Sequence, residues 1–162
     1  MHASPVSLER VLKYIATLGF IGYLPFAPGT LGTICALIVI IIFKPSVALH
    51  ALITLIIIPV GIISAHRAET LINEKDSRHI IVDEFCGYFF SLLLIPFSLI
   101  SAVTAFFLFR FFDILKPFPI RTLEYSLSGG IGIMADDIMA AIYTNIILQL
   151  LAIIHPGIFS FS

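Results

Sequence analysis

Charge is scarce in this chain. Asp, Glu, Lys and Arg make up 12% of its 162 residues, against roughly 25% in an average soluble domain, while 59% are hydrophobic. That shortage excludes an ordinary water-facing surface, because too few polar groups are available to cover a core; composition points to an integral membrane protein. The net charge of −1 provides no global field that would attract nucleic acid. Cysteine is nearly absent too. Cys35 and Cys86 stand far apart in apolar runs, with neither C-x-x-C nor zinc spacing, so both read as packing residues. No internal repeat, low-complexity tract or linker divides the sequence, and residues 1–162 read as one domain. A cleavable signal is not evident either: Arg10 and Lys13 precede apolar residues, but Pro25 and Pro28 follow without a small-residue cleavage site. Ser7–Leu18 reads instead as an amphipathic helix with Leu8, Val11, Leu12 and Ile15 on one face.

What the chain has in quantity is apolar segments: Thr30–Phe43, Ser46–Ala65, Phe85–Phe109 and Ile131–Ile154. Breaks fall at Lys44-Pro45, in the polar stretch His66–Arg78 and over Lys116–Ser128. The third segment decides the topology. As a single helix it would span a bilayer, but Pro96 lies in its middle, where proline removes a hydrogen bond and clashes with the preceding turn. The alternative is two short helices, about Ile80–Ile95 and Phe97–Phe112, joined by a tight turn at Pro96. Lys and Arg arbitrate. A single span divides them evenly, whereas the hairpin leaves Lys44 alone opposite the other eight and puts every Asp and Glu on the side of the eight. The expectation is an all-α, polytopic membrane domain of four to five short transmembrane helices plus the N-terminal amphipathic helix, with the charged side cytoplasmic. Several of these helices are short for a hydrocarbon layer of about 30 Å, so local thinning is expected.

The acids are the unusual feature. Asp136 and Asp137 stand side by side in Gly130–Ile154, which has no other charge. A carboxylate in apolar surroundings is costly unless a cation or donor meets it. With the hairpin, Asp83-Glu84, Asp113 and Asp136-Asp137 all reach one membrane face. Several carboxylates near one point suit a hard divalent cation, which prefers oxygen ligands. Arg110 shares a helix face with Asp113, Lys116 follows just before Pro117, and Arg121 lies past Pro119; cations beside such a cluster suit a phosphate. Pro25–Gly32 reads as a loop, with Thr30 as the N-cap of the next helix and its backbone N–H groups available to an anion. Gly129-Gly130-Ile-Gly132 is a weak phosphate-loop signal, being neither G-x-G-x-x-G nor a Walker A sequence. Singly, each feature has an ordinary reading: helix-start acids, a surface ion pair, a turn and cap. Their convergence on one side raises the functional one. His66 and His79 read as interfacial, and the 15 Phe residues as packing and lipid-facing bulk.

At these residues the sequence resembles the phosphatidylglycerophosphatase A family. The matching blocks are Ala27-Pro-Gly-Thr-Leu-Gly32, Ile81-Val-Asp-Glu-Phe-Cys-Gly87, Phe109-Arg-Phe-Phe-Asp-Ile-Leu-Lys-Pro-Phe-Pro-Ile-Arg121 and Gly129-Gly-Ile-Gly-Ile-Met-Ala-Asp-Asp137, in family order over about Gly22–Ala141. The resemblance implies a Mg²⁺-dependent lipid phosphatase of the bacterial inner membrane, acting at the cytoplasmic face in phospholipid biosynthesis. It would hydrolyse phosphatidylglycerophosphate to phosphatidylglycerol and phosphate. In that reading Asp83, Glu84, Asp113, Asp136 and Asp137 hold one or two Mg²⁺, with Asp83, Asp113, Asp136 and Asp137 catalytic, while Thr30, Arg110, Lys116 and Arg121 meet phosphate. Adjacent helical residues point about 100° apart, so Asp136 and Asp137 are expected to have unequal roles. The competing class is a small membrane protein that moves protons or cations on its paired acids. The D-G-x₂-A-R pattern of lipid-phosphate transferases and the K-x₆-R-P block of histidine lipid phosphatases are absent.

Overall fold

The computed structural model describes residues 7–159, and among these the regular elements are all helical. The amphipathic helix is present as α1 (Leu8–Ala16). Its expected apolar face divides: Ile15 and Ala16 pack into a core cluster, while Leu8 and Val11 stay exposed. After a short 3₁₀ turn, α2 (Pro28–Phe43) opens with proline at its first position, where the missing N–H costs nothing. It closes at Lys44, which takes a left-handed conformation ahead of Pro45. The following helix, α3 (Val47–Ile72), starts at Ser46, whose Oγ accepts from the Leu49 N–H at 3.3 Å. It runs past Ala65, where the polar stretch was expected to end it, so His66 lies inside a helix and not at its end.

The long third segment is broken in two, α4 (Val82–Ser91) and α5 (Leu99–Leu115), around a non-helical stretch that contains Pro96. At about 1.5 Å per residue, the ten residues of α4 rise about 15 Å, half a hydrocarbon layer. The carbonyl groups at its end have no partner within the helix. Neighbouring helices supply the donors. Asn145 Nδ2 donates to Ser91 O at 3.0 Å and Leu93 O at 2.8 Å, and His50 Nε2 lies 2.8 Å from Phe89 O. The start of α5 is closed by a reciprocal cap in which the Ser98 and Ser101 backbone N–H groups each donate to the other's Oγ at 3.0 Å. Lys44 Nζ sits 5.6 Å from the centre of the Phe97 ring, so the end of α2 and the Pro96 turn share one end of the molecule.

A short helix, α6 (Ile120–Ser126), leads to α7 (Gly129–Ile154), which packs against α3, α4, α5 and α6 and forms the centre of the bundle. Gly130 lies so close to α3 that a Cβ there would collide with Ile62 O. The glycine run therefore belongs to a tight helix crossing and not to a phosphate loop; it forms the first turn of α7 itself. Two helices, α3 and α7, are long and apolar enough to cross a membrane. Large apolar side chains point outward along them, among them Leu52, Leu55, Ile56 and Ile63 on α3 and Leu150 and Ile153 on α7. Water would penalise such a surface at roughly 25 cal/mol per Å², and lipid does not.

Candidate active site

The site lies at the end of the bundle opposite the Pro96 turn, where α4 and α7 carry their acids and α2 begins. Asp83 and Glu84 occupy the first turn of α4, whose Ile81 N–H is anchored to Ala16 O at 2.9 Å. Asp137 sits just over two turns into α7 and faces them. One oxygen from each of Asp83, Glu84 and Asp137 lies within 4.8 Å of the others. Asp83 is 9% exposed and Asp137 3%, so solvent does not separate their charges. One oxygen on each of the three (Asp83 Oδ1, Glu84 Oε2, Asp137 Oδ1) is buried without a hydrogen-bond partner. Removing one partner of a buried charge pair costs roughly 3–5 kcal/mol, and here three acids converge with no cation among them. An all-oxygen donor set of this kind fits a hard divalent cation such as Mg²⁺.

The neighbouring acids are paired differently. Lys116 Nζ lies 2.7 Å from Asp136 Oδ2, and Asp136 Oδ1 accepts the Asp137 N–H at 3.1 Å. Arg110 Nη1 and Asp113 Oδ2 form an ion pair at 2.5 Å on successive turns of α5, while Arg110 Nε is buried without a hydrogen-bond partner. All five acids, Arg110 and Lys116 line one cavity of about 420 Å³, together with Gly29 and Thr30. Carboxylates and cations lining one cavity suit a group that carries negative charge and takes a metal, as a phosphate does.

Two expected roles change. Thr30 is not an N-cap: Ala27 occupies that position, in a left-handed conformation, and Thr30 lies in the first turn, where it still lines the cavity. The first helical bond runs from the Leu31 N–H to Ala27 O at 3.1 Å, so the Gly29 and Thr30 N–H groups have no helix carbonyl to bind. Arg121 is exposed and lines an adjoining cavity, not this one. Three contributors were not foreseen. Gly29 passes so close to Glu84 that a Cβ would collide with Glu84 Oε1, which gives the Pro-Gly-Thr sequence a purpose beyond a turn. Asp76 and Arg78, from the loop between α3 and α4, complete the cavity wall. The only sequence signal for them was polarity in a break between apolar runs. His79 stands apart, stacked on Tyr23 at 4.7 Å with Nδ1 2.9 Å from Gly22 O.

Comparison with known proteins assigns a family. The family model described as Phosphatidylglycerophosphatase A matches residues 14–152. A Haemophilus influenzae protein named "Phosphatidylglycerophosphatase A" is 53% identical over 74 residues, 45% of this chain and 45% of the relative. An Escherichia coli protein of the same name is 35% identical over 101 residues, 62% of this chain and 59% of the relative. A Bacteroides thetaiotaomicron protein named "Putative phosphatidylinositol-3-phosphatase" is 38% identical over 91 residues, covering 54% and 56%. The chain thus spans about half the length of the curated relatives it matches. No solved structure matches it.

Proposed function

The chain belongs to the phosphatidylglycerophosphatase A family, and from that premise we propose that it hydrolyses the terminal phosphomonoester of phosphatidylglycerophosphate at a membrane surface, releasing phosphatidylglycerol and phosphate. The observation that carries this reading is the group Asp83, Glu84 and Asp137, with three buried carboxylate oxygens lacking partners inside a cavity that also holds Arg110 and Lys116.

Asp83, Glu84 and Asp137 would hold Mg²⁺. Bound there, the ion would supply charge neutralisation at the phosphoryl group and make water a better nucleophile near neutral pH. The chain's own residues do the rest. Lys116 and Arg110 face the non-bridging phosphate oxygens and offset the charge that grows as water adds to phosphorus. The free N–H groups at the start of α2 add donors on the same wall. One water is consumed, the P–O bond to the glycerol breaks, and the departing oxygen takes a proton to become the hydroxyl of phosphatidylglycerol. Asp136 and Asp113 are the carboxylates outside the three-acid group; held by Lys116 and Arg110, they are placed to accept the water proton.

The same bundle supports a membrane arrangement. We place α2, α3, the α4–α5 hairpin and α7 in the bilayer of a bacterial inner membrane, with the acid cluster on the cytoplasmic side. Support comes from the charge asymmetry, with Lys44 alone opposite the other Lys and Arg residues, and from the contact between Lys44 and Phe97. The cation-translocation reading gains nothing comparable, since the acids gather at one end and no carboxylate occurs in sequence near Lys44 or Pro96. The test is phosphate release by the purified chain in mixed micelles of phosphatidylglycerophosphate with Mg²⁺. Release from this lipid supports the assignment; its absence under conditions where the protein stays folded refutes it.

A further inference from the structure

The catalytic cavity adjoins a second one of about 540 Å³, and Lys116 is part of the wall of both. Leu115, Phe118, Arg121, Thr122 and Ser126 form the rest of the second lining. We propose that this second cavity seats the diester phosphate of the lipid substrate, and that Arg121 selects lipids that carry such a diester between the diacylglycerol and the phosphate to be removed. The proposal rests on the phosphatase reading above and names the part of the substrate that reading leaves unplaced.

Phosphatidylglycerophosphate has two phosphates joined by a three-carbon glycerol. If the monoester lies among Asp83, Glu84, Asp137, Arg110 and Lys116, the diester must leave that cavity by an adjoining space. Among the cavities lined by described residues, two share lining with it. One is bordered by Asp136, Asp76 and Glu69 with Lys75 as its cation, a balance that repels a second phosphate. The other has Arg121 and also Lys116, whose Nζ is paired with Asp136, and no carboxylate among its described lining residues. Even with the Lys116–Asp136 pair counted as neutral, the second keeps the Arg121 charge while the first keeps two carboxylates against Lys75, so the second is the better suited to a phosphate. Within it, the Ser126 hydroxyl already donates to Thr122 O at 2.6 Å, which leaves the Arg121 guanidinium and the Thr122 hydroxyl as the donors beside Lys116. A guanidinium presents a planar pair of N–H groups to two phosphate oxygens at once.

The surroundings fit the remainder of the lipid. Phe118 and Leu115, on the same wall, are 83% and 55% exposed. From them an apolar stripe runs back along α5 through Ile114, Phe111, Phe107, Val103 and Ile100, all exposed and spaced three or four residues apart, hence on one helix face. A cation-bearing cavity at the foot of an exposed apolar stripe matches an anionic headgroup with acyl chains above it.

The experiment compares two lipids in the same mixed micelles: phosphatidylglycerophosphate, which has the diester, and phosphatidic acid, whose monoester is attached directly to diacylglycerol. In Arg121→Gln, kcat/KM for phosphatidylglycerophosphate should fall about tenfold, the size of one lost charge-assisted hydrogen bond, mainly through KM. Hydrolysis of phosphatidic acid should stay within twofold of wild type, and Arg121→Lys, which keeps the charge, should recover part of the loss. An equal fall on both lipids would assign Arg121 to general surface attraction and overturn the subsite, and so would no change on either. Wild-type protein that hydrolyses neither lipid would overturn the phosphatase reading and the subsite with it.

Discussion

Asp136 and Asp137 are neighbours in sequence with different partners in space. Asp137 joins Asp83 and Glu84 within 4.8 Å, while Asp136 is 2.7 Å from Lys116 Nζ. Helix geometry demands the divergence, since successive side chains on α7 point about 100° apart.

Unequal losses follow. Asp137→Asn removes a carboxylate from the three-acid group and should cut phosphate release by several kcal/mol of barrier, about a thousandfold, with a large rise in the Mg²⁺ concentration needed. Asp136→Asn loosens Lys116 and should cost about 10- to 100-fold in kcat, with the Mg²⁺ requirement unchanged. Titrating Mg²⁺ against initial rate for the two variants checks this; identical Mg²⁺ curves for both would show that the two acids share one role.

Gly29→Ala is expected to be as damaging as losing a ligand, though it removes no functional group. The added Cβ meets Glu84 Oε1, so either Glu84 or the first turn of α2 must shift. A misplacement of about 1 Å at a catalytic group can cost about 100-fold. The expected result is a loss of that order in kcat/KM with unchanged thermal stability in detergent.

Asn145→Leu should act on folding first. It leaves Ser91 O without its side-chain donor at 3.0 Å, and Leu93 O, now held at 2.8 Å, with only the longer 3.4 Å bond from Gln149 Nε2. An unsatisfied buried carbonyl costs about 1–3 kcal/mol. A lower thermal midpoint in detergent is the prediction, whereas Asn145→Asp, similar in shape but without the amide donor, should be no better.

The hairpin predicts membrane sidedness. Single cysteines at Lys44 and Pro96, in a chain with Cys35 and Cys86 replaced, should both label from the periplasmic side. Labelling of the Pro96 position from the cytoplasm would refute the hairpin.

Much of this arrangement was readable before the structure. Pro96 interrupts an apolar run that proline cannot cross without cost, and the charge distribution favours the hairpin, so the break between α4 and α5 and the meeting of Asp83, Glu84, Asp113, Asp136 and Asp137 were both expected. Other features depend on contacts between segments remote in the chain. Asn145 reads as a stray amide on an apolar helix until its acceptors, 52 and 54 residues away in sequence, are seen. Gly29 reads as a turn residue until α2 is packed over Glu84. Asp76 and Arg78 lie in a loop without periodicity, which gives no means to place them. Arg121 follows Lys116 closely in sequence and shares the adjoining cavity with it, but the turn at Lys116, where α5 ends in a left-handed residue, carries Arg121 away from the cavity that holds the acids.

The central claim is that the buried three-acid group makes this chain a metal-dependent lipid phosphatase. Its most direct test is phosphate release from phosphatidylglycerophosphate by wild type and Asp83→Asn, each with Mg²⁺ and with EDTA. The account predicts release by wild type that EDTA abolishes and added Mg²⁺ restores, and a loss of about a thousandfold in Asp83→Asn at saturating Mg²⁺. Release that persists in EDTA, or near-normal turnover by Asp83→Asn, would contradict it.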